Sequence, residues 1–394
     1  MAAYAAAING NQVTVFEKNE KCGKKIYITG KGRCNVTHDC SPEEFLLSVV
    51  NNSKFMTGAI HKFSPQDTAN FFENGGLKLK TERGGRLFPV SDKASDVTKC
   101  LEKYCKNCNI EFIFNEEIRE IGILNSTISH IISNKGKYAF DKVIVCTGGL
   151  SYPSTGSTGD GYRFAEMCGH NIIEPKQGLC GLNVKGIWYQ KMQGLSLKNV
   201  NLNICYDGKL FKTFFGELLF THFGISGPIV LSASSFINRL NFDKLVFLLD
   251  LKPALTDQQL DERLLRDFGE FCNKNISVCL KNLLPSAMIE EVLNRCNIPA
   301  DKKVNAITKE ERRRLLSVVK NFEMRIASLR GFEEAIITSG GVDVKQIDPK
   351  TMESKLIKGL YFCGEVLDID ALTGGFNLQI AFSTGFSAGN SIKE

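Results

Sequence analysis

The chain has 394 residues, of which 43% are hydrophobic and 23% are charged. This composition is that of a globular protein, and the length excludes a single small core, so two or three domains are expected. The formal net charge is +6, and we interpret it as spread along the chain. The densest basic run, Glu311-Arg-Arg-Arg314, has helical periodicity and acidic neighbours, which predicts a solvated helix face and no nucleic-acid partner.

Targeting signals and metal ligands are the next features to consider. No apolar run is long enough to cross a bilayer, and the start of the chain has neither a basic stretch nor a long apolar core. We therefore expect a cytoplasmic protein with no membrane partner, and the 14 scattered cysteines suit reduced thiols. The spacing Cys100-x4-Cys105-x2-Cys108 matches plant-type iron–sulfur ligands, but these cysteines share one face of a predicted helix, so we predict no metal site.

The N-terminal residues resemble half of a nucleotide-binding unit. Residues 1–9 have the composition of an Ala-rich helix, and residues 12–17 predict a strand that ends at Glu17. A helix, a tight turn, a strand and a terminal acid form the second half of a βαβ unit. The first half, a strand followed by a GxGxxG turn, is not in this sequence.

A basic, glycine-rich stretch follows at residues 21–37 and lacks helical periodicity. Its glycines permit close backbone approach to a ligand, and its cations can neutralise phosphates. These cations are Lys24, Lys25, Lys31 and Arg33. The spacing of a Walker-type phosphate loop is not present.

Residues 41–146 predict a series of helices followed by a series of strands. Periodicity predicts helices within 41–72 and over 91–109, and a hairpin over 77–90. Strands are then predicted at 110–114, 118–123, 128–133, 138–140 and 142–146. The last run is continuously apolar, as in a central parallel strand buried on both faces. It enters the Gly/Ser-rich loop 147–161, which precedes a predicted helix at 162–168.

The pattern changes at about residue 178. Short strands are predicted up to about residue 251, interrupted by an irregular loop at 220–228 that leads into a helix at 227–238. This loop has no Gly-x-Ser-x-Gly, so Ser226 is not a nucleophile-elbow serine. Residues 256–321 are almost entirely helical in pattern, and 332–338 predict a further strand.

The C-terminal stretch from Leu360 to Asn377 has the pattern of a ligand-binding site. It predicts a buried strand, a Gly-Glu turn at Glu365, a loop, and a helix opened by Gly374 and Gly375. Paired glycines let a flat ligand approach the helix N-terminus, whose dipole favours negative charge. The stretch fits an FAD isoalloxazine site, and by itself it fits an ordinary strand–loop–helix equally well.

Taken together, the motifs resemble the BaiN-like NAD(P)/FAD-dependent oxidoreductases, some of which are labelled aminoacetone-oxidase-like and one branch of which is linked to bile-acid dehydroxylation. The blocks that carry the resemblance occur in order over nearly the whole chain: Glu17-Lys-Asn19, Thr29-Gly-Lys-Gly-Arg-Cys-Asn-Val-Thr37, Gly148-Gly-Leu-Ser-Tyr-Pro-Ser-Thr-Gly-Ser-Thr-Gly-Asp160, Phe220-Thr-His-Phe-Gly-Ile-Ser-Gly-Pro228, Ser339-Gly-Gly-Val342, Gly364-Glu-Val-Leu-Asp368 and Gly374-Gly-Phe-Asn377.

The resemblance implies an α/β fold: a glutathione-reductase-type FAD-binding domain with an inserted small β-barrel that carries a nested helical subdomain. The implied ranges are 1–177 with 331–394 for the FAD domain, 178–255 with 322–330 for the barrel, and 256–321 for the helical insert. The resemblance further implies that Glu17 binds the adenosine ribose. The other implied cofactor-binding residues are Lys24, Arg33, Cys34 and Asn35 at the pyrophosphate and flavin, Thr147, Gly148 and Gly149 towards the adenosine, and Glu365, Asp368, Gly374, Gly375, Phe376 and Asn377 at the ribityl chain and ring. Asp160 and Gly364 are further predicted cofactor-binding residues.

One departure from the family pattern concerns the N-terminus. Members of the family carry a strand and a Gly-Gly-Gly-x-Ala-Gly turn before the position of Met1. We expect either a start placed about a dozen residues late or a genuinely shortened protein, with weaker FAD binding in the second case.

The expected function is that of an FAD-dependent oxidoreductase acting on a small molecule, with hydride transfer through flavin N5. No second GxGxxG is present, so NAD(P)H is expected to act as a transient electron donor. The alternatives are a flavin oxidase that passes electrons from a small, aminoacetone-like amine to O₂, and a non-catalytic remnant. The catalytic candidates all lie in the expected insert: Glu217, Thr221, His222 and Ser226. Nothing in the sequence indicates the oligomeric state.

Overall fold

The protein is described by a computed structural model that covers residues 1–393. The chain forms two compact units. Unit 1 contains Met1–Leu179 and Gly331–Glu394, and unit 2 contains Cys180–Arg330. Unit 2 is therefore an insertion, because the chain leaves unit 1 once and returns to it once.

The α-helices, in chain order, are α1 Ala2–Ala7, α2 Lys24–Ile28, α3 Pro42–Leu47, α4 Ser53–Lys62, α5 Pro65–Asn74, α6 Ala94–Asn107, α7 Asp160–Met167, α8 Pro228–Ile237, α9 Asp257–Glu270, α10 Ile276–Cys279, α11 Ser286–Cys296, α12 Lys309–Lys320 and α13 Phe376–Ser391. Short 3₁₀ turns lie between several of them, including one at Gly364–Val366.

The β-strands, in chain order, are β1 Thr14–Glu17, β2 Thr37–His38, β3 Val49–Asn51, β4 Leu79–Glu82, β5 Arg86–Pro89, β6 Glu111–Phe114, β7 Ile118–Leu124, β8 Thr127–Ser133, β9 Lys137–Ala139, β10 Val143–Val145, β11 Ile172–Gly178, β12 Leu182–Val184, β13 Ser196–Tyr206, β14 Lys209–Phe220, β15 Gly224–Ser226, β16 Leu245–Asp250, β17 Phe322–Met324, β18 Ile326–Leu329, β19 Ile337–Val342, β20 Leu360–Phe362 and β21 Asp370–Ala371.

Unit 1 is built from several small sheets. Two of them are parallel pairs, β1 with β6 and β10 with β20. The others are antiparallel: β11 with β19, β21 with β3, and the three-stranded sheets β2-β5-β4 and β7-β8-β9. The parallel pairs matter for function, because the carboxyl ends of parallel strands are where α/β folds bind ligands.

The first and last helices of unit 1 pack closely because their facing residues are small. Ala5 and Ala6 of α1 are buried. A Cβ added to Gly389 of α13 would lie 2.7 Å from the backbone nitrogen of Ala6 and 2.8 Å from Cβ of Ala5. Any residue larger than glycine at position 389 would therefore force the two helices apart.

Unit 2 contains one seven-stranded antiparallel sheet, in the order β17-β16-β13-β14-β15-β12-β18. Helices α8–α12 accompany it, and its buried apolar residues form one continuous core. Two helices begin with capping boxes, Thr256 with Gln259 and Thr308 with Glu311. In each box the two side chains and backbones satisfy two N–H groups that the helix itself leaves free.

Several predicted elements differ from the observed ones. Residues 24–28 form the short helix α2, although the stretch lacks helical periodicity, and the strand expected at 332–338 begins only at Ile337 and continues to Val342. The loop expected at 220–228 contains strand β15, because backbone pairing with β14 overrides its irregular composition. Strand β10 is not buried on both faces: Val143 and Ile144 are half-buried, and within residues 1–393 β10 pairs only with β20.

The net positive charge was expected to be spread along the chain, but it is concentrated in unit 2. Unit 2 contains 22 Lys and Arg against 15 Asp and Glu, a net charge of +7, whereas unit 1 contains 27 against 28, a net charge of −1. The basic run in α12 is partly structural. Glu311 is buried and pairs with Lys302, and Arg312 pairs with Asp261.

Candidate functional site

The candidate site is built on the carboxyl ends of the parallel pair β10 and β20. Val145 lies opposite Phe362, and the Cys363 N–H donates to the Val145 carbonyl over 3.1 Å. Immediately after these strands the chain enters two glycine turns, Thr147-Gly-Gly149 and Gly364-Glu365. The fold therefore brings together two motifs that are more than 200 residues apart in the sequence.

The Glu365 side chain forms hydrogen bonds and an ion pair at these strand ends. Its carboxylate accepts hydrogen bonds from the Thr338 backbone N–H at 2.8 Å and from the Ser151 hydroxyl at 2.8 Å. It also forms an ion pair with Lys25, whose Nζ lies 2.5 Å from Oε2. Both side chains of this pair are only about a quarter exposed, so the carboxylate is held in one orientation.

The glycine turn after β10 leaves no room for side chains. A Cβ at Gly149 would collide with the Thr338 hydroxyl and lie 2.9 Å from the hydroxyl of Tyr162. Gly148 has φ 72°, and a Cβ there would lie 3.1 Å from Oγ of Ser157. These glycines let backbone N–H groups approach a ligand as closely as a dinucleotide pyrophosphate or ribose requires.

A second group of polar residues lies at the end of β1. Glu17 Oε1 accepts from both the backbone N–H and the side-chain amide of Asn19, at 2.8 and 2.7 Å. Lys24 donates to Asn19 Oδ1 and pairs with Glu20. Within residues 1–393, Glu17 Oε2 has no hydrogen-bond donor, so Glu17 has one oxygen free for a ribose hydroxyl.

Asp160, at the first position of α7, is tied to the same part of the chain. Its Oδ2 lies 2.5 Å from Nζ of Lys18, the residue that follows Glu17, and Lys18 also donates to Thr158 at 2.6 Å. The loop between β10 and α7 is therefore held against the end of β1.

Two buried polar atoms of predicted FAD-binding residues have no hydrogen-bond partner among residues 1–393. They are Oδ1 of Asn35 and Oγ1 of Thr147. A buried polar atom without a partner costs about 1–3 kcal/mol, so native structures seldom keep one unless a ligand or water satisfies it. Both residues belong to the predicted FAD-binding set, and their unsatisfied atoms fit a polar cofactor such as FAD.

Cys34 and Arg33 have roles that the motif does not reveal. Cys34 is buried with φ 59°, and burial raises the pKa of its thiol to about 11, so it is protonated at neutral pH. Arg33 pairs with Glu82 and Asp92 and stacks on the Phe88 ring. Its guanidinium is thus already neutralised by two carboxylates.

The N-terminus of α13 is shaped by its two glycines. Gly375 has φ 94°, and a Cβ there would lie 2.6 Å from the backbone carbonyl of Thr37. The helix has no side-chain cap, so its first N–H groups and the positive end of its dipole are free for a ligand. Phe376 stacks on His38, with 4.5 Å between the ring centroids.

The remaining residues of the predicted flavin end have structural partners. Asn377 exchanges hydrogen bonds with the backbone of Ala371. Asp368 accepts from the Asn52 amide at 2.9 Å, and the Gly364 N–H donates to Thr384 at 2.9 Å. These contacts fix the loop that leads into α13.

The four catalytic candidates lie at the β14–β15 turn of unit 2 or next to it. Glu217 accepts from the Ser196 hydroxyl at 2.5 Å, and Ser226 is part of β15. The Thr221 Oγ1 atom is buried without a partner among the described residues, and His222 is exposed. The structure thus places the four residues close together in unit 2, and their catalytic role stays a prediction.

Sequence reasoning missed the residues that orient Glu365. Lys25, not Lys24, forms the ion pair with it, and Ser151 and Thr338 complete its environment. Lys25 was visible as a cation in the basic stretch, but no sequence signal distinguishes it from its neighbour. Within residues 1–393 no group of His, Cys, Asp or Glu could hold a metal ion, and no helix is both long and apolar enough to cross a membrane.

Comparison with known proteins identifies the family. Residues 1–391 match the model described as "HI0933-like protein Rossmann domain". The chain belongs to this family. It is 29% identical over 389 residues to a ribosomal RNA dihydrouridine synthase of Haemophilus influenzae, covering 97% of this chain and 93% of that protein. It is 28% identical to a 3-dehydro-bile acid delta(4,6)-reductase of Clostridium scindens, covering 100% of this chain and 96% of that protein.

Solved structures agree on the fold. The 3-ketosteroid-delta4-(5alpha)-dehydrogenase of Rhodococcus jostii RHA1 aligns with a TM-score of 0.53 at 12% identity, over 99% of this chain and 93% of that one. The 3-ketosteroid delta1-dehydrogenase of Sterolibacterium denitrificans aligns with a TM-score of 0.51, also at 12% identity, over 99% of this chain and 96% of that one. The predicted α/β fold of the Rossmann-type FAD-binding class is confirmed.

The comparisons support the general functional prediction but not its details. HI0933-like membership supports an FAD-binding oxidoreductase and does not single out the BaiN-like branch within the family. Membership of this family does not determine the electron donor or the substrate.

Proposed function

We propose that this protein is an FAD-dependent reductase that saturates a carbon–carbon double bond conjugated to a carbonyl group. The observation that carries the proposal is at the ends of β10 and β20, where Lys25, Ser151 and Thr338 fix the carboxylate of Glu365. Buried polar atoms of Thr147 and Asn35, two other predicted FAD-binding residues, have no hydrogen-bond partner among residues 1–393. These residues fit FAD. When bound and reduced by the proposed donor NAD(P)H, the flavin would supply a hydride from N5.

The chemistry of the named relatives supports a double bond as the reacting group. Dihydrouridine is uridine whose C5=C6 bond, conjugated to the C4 carbonyl, has been reduced, and a delta(4,6)-reductase of a 3-dehydro steroid acts on double bonds conjugated to the 3-keto group. The two substrates share little else. We therefore propose that the common activity in this chain is hydride addition to the far carbon of an enone-like system.

Individual residues of the chain have distinct proposed tasks. Glu17 binds the adenosine ribose through its free oxygen, and Thr147 to Gly149 offer hydroxyl and backbone groups to the cofactor. Glu365 would hold the ribityl hydroxyls of FAD. The N-terminus of α13, where Gly375 provides no side-chain cap, would favour negative charge on the isoalloxazine ring.

The substrate that we propose first is a uridine in RNA. Unit 2 has a net charge of +7, which favours a polyanion. Many of its cations are exposed and have no ion pair within residues 1–393: Lys198, Lys209, Arg266, Lys274, Lys281, Lys303, Lys309 and Arg313. This reading replaces the small-molecule substrate favoured by the sequence. A small-molecule enone remains the second candidate, supported by the bile-acid reductase, whose alignment covers the whole chain.

The test uses the purified chain reconstituted with FAD under anaerobic conditions. NADH or NADPH, the proposed electron donors, should bleach the flavin absorption. Transcribed ribosomal RNA should then gain two hydrogens per modified uridine by mass spectrometry of the nucleosides. Reduction of a 4-en-3-one steroid, with RNA unchanged, would support the second candidate.

Two outcomes contradict the proposal. Peroxide release on addition of aminoacetone in air, with no reduction of either double bond, would identify an amine oxidase. Failure to retain any flavin under all conditions would indicate a protein that keeps the fold without the reaction.

A further inference from the structure

Unit 2 contains a pocket of about 260 Å³ where the start of β13, the end of β16 and the start of α11 meet. All of its lining residues belong to unit 2, and none of them is predicted to bind FAD. A protein cavity of about 150 Å³ is large enough to hold benzene. This pocket therefore has room for a small apolar body together with a polar head group.

A bulge in β13 forms one wall of the pocket. Leu197 pairs with Leu218 and Val200 with Gly216, so three residue steps on β13 face two on β14. Asn199, inside this span, has φ 54°, in the left-handed region that strains a residue with a side chain. Bulges bend a strand and re-aim its side chains, and they occur often beside binding sites. The regular pairing of β13 is thus interrupted at the pocket.

The floor of the pocket is apolar. Leu197, Val200, Leu251 and Leu284 line it, and each is 6% exposed or less. All four belong to the continuous apolar core of unit 2. A ligand that enters the pocket therefore contacts hydrocarbon side chains, which favours an apolar body over a fully polar one.

Two lysines, Lys198 and Lys252, line the same pocket, and neither forms an ion pair with any of residues 1–393. Asp250, two positions before Lys252, is already paired with Lys320, whose Nζ lies 2.6 Å from Oδ2. Lys252 is half-buried, and burial lowers its pKa, an effect that the charge of Arg263 reinforces. Because a partly buried cation without a counter-ion is unfavourable, an anion in the pocket would stabilise it.

We propose that this pocket binds a small amphipathic carboxylate, with an apolar body of about six to ten carbons on the leucine floor and the carboxylate beside Lys198 and Lys252. Apart from the lysines, Ser196 is the one polar side chain of the lining, and its hydroxyl already donates to Glu217. A nucleobase would leave its polar edge without partners here, whereas a hydrocarbon body would not. The proposed site does not depend on the proposed reductase activity.

The test is isothermal titration calorimetry of the full chain with octanoate, and with octanamide as a neutral ligand of the same length. Octanoate should bind at a single site with a Kd at least about tenfold lower than that of octanamide, because only octanoate carries the charge. Lys252→Met keeps an apolar stem and removes the cation, so it should raise the Kd for octanoate at least about tenfold and leave that for octanamide unchanged. Lys252→Arg should retain most of the affinity.

A matched control is Lys303→Met, which removes an exposed lysine of unit 2 outside the pocket and should leave the Kd for octanoate unchanged. Lys198→Met should raise this Kd, so the test does not depend on the folding of one variant; melting temperatures confirm folding in each case. The proposal is overturned if octanoate does not bind, if octanamide binds equally well, or if Lys303→Met weakens binding as much as Lys252→Met. Displacement of octanoate by an equal concentration of uridine monophosphate would indicate a nucleotide site and would also overturn it.

Discussion

The two units differ in net charge and in the arrangement of their strands. Unit 1, with a net charge of −1, divides its strands among six small sheets and joins them by glycine-rich turns. Unit 2, with a net charge of +7, puts all its strands into one seven-stranded sheet over a continuous apolar core. Short sheets with many ends present backbone groups and charged side chains to a ligand, whereas one long sheet satisfies its own backbone and presents side chains only.

This contrast supports the proposal that unit 1 binds the cofactor and that unit 2 recognises a charged substrate. In unit 1 the charges near the candidate site are paired inside the protein, as for Lys25 with Glu365 and Lys18 with Asp160. In unit 2 several exposed cations have no such partner among the described residues. Variants that alter one unit should therefore leave the function of the other intact.

The largest effect is expected from Gly375→Ala. The new Cβ would lie 2.6 Å from the Thr37 carbonyl at φ 94°. Strain in the left-handed region costs about 1–3 kcal/mol and overpacking adds a similar amount, so the free energy of unfolding should fall by about 4 kcal/mol and bound flavin should be lost. Urea denaturation and flavin absorbance measure the two effects.

The matched control for this change is Gly76→Ala. Gly76 has nearly the same φ, 92°, but a Cβ there meets no atom within 4 Å. Only the backbone cost should appear, about 1–2 kcal/mol, with flavin retained. Equal losses in the two variants would show that close packing at α13 does not matter.

Glu365→Gln should weaken flavin binding strongly while keeping the side-chain shape. It removes the ion pair with Lys25 and weakens the hydrogen bonds from Ser151 and Thr338. The hydrogen bond that the Glu365 carboxylate is proposed to accept from FAD is one to a charged group, worth about 1.5–3 kcal/mol, so its weakening should raise the Kd for FAD at least about tenfold, measured by fluorescence quenching.

Glu311→Gln provides the comparison for that variant. Glu311 is a buried carboxylate of unit 2 that pairs with Lys302 and accepts a hydrogen bond from the Thr308 backbone N–H. Its loss should lower stability without changing the Kd for FAD. If both variants weaken flavin binding equally, the effect comes from global stability and not from the ribityl contact proposed for Glu365.

A double charge reversal in unit 2, Lys309→Glu with Arg313→Glu, should lower RNA affinity. The two residues are exposed and lie four positions apart on α12. Loss of two phosphate contacts should make the slope of log K against log salt shallower by about 1.4. Anisotropy of a labelled RNA at several salt concentrations measures this, and NAD(P)H-dependent flavin reduction should be unchanged.

The control reversal is Lys99→Glu with Lys103→Glu in unit 1. These lysines are also exposed and four positions apart, on α6. RNA affinity should change much less than with the α12 pair. Equal losses would mean that overall charge, not unit 2, determines RNA binding, which would remove the basis for separating the two units by function.

The smallest expected effect concerns His170 in unit 1. Burial lowers the pKa of His170, and its Nε2 lies 2.7 Å from the Ser354 hydroxyl. Because the folded state disfavours the protonated ring, His170 reduces stability as the pH falls below its unfolded pKa of about 6.5 and through its lower folded pKa. Denaturation between pH 7 and pH 5 should show a shallower decline in His170→Gln; identical pH profiles would contradict this assignment.

Much of the local structure follows from the sequence. The strand that ends at Glu17, the hairpin of β4 and β5, and the strand, Gly-Glu turn and helix from Leu360 onward all appear as predicted. Each depends on periodicity, turn residues and helix starts within about 15 residues of chain, so the physics that decides them is local. The confirmed fold class was implied by the resemblance of the motifs, taken in order along the chain, to a known family.

The contacts that form the candidate site do not follow from local sequence patterns. Lys25 meets Glu365 across 340 positions, and Cys146 meets Cys363 across 217. No local pattern distinguishes Lys25 from Lys24 or marks these two cysteines among 14. The half-exposed state of β10 likewise depends on which strands pair with it, not on its own apolar residues. The sequence by itself determined the elements and the family motifs, because these depend on neighbouring residues. Only the tertiary structure decided which distant side chains share a charge, a hydrogen bond or a sulfur contact, because strand pairing sets those distances.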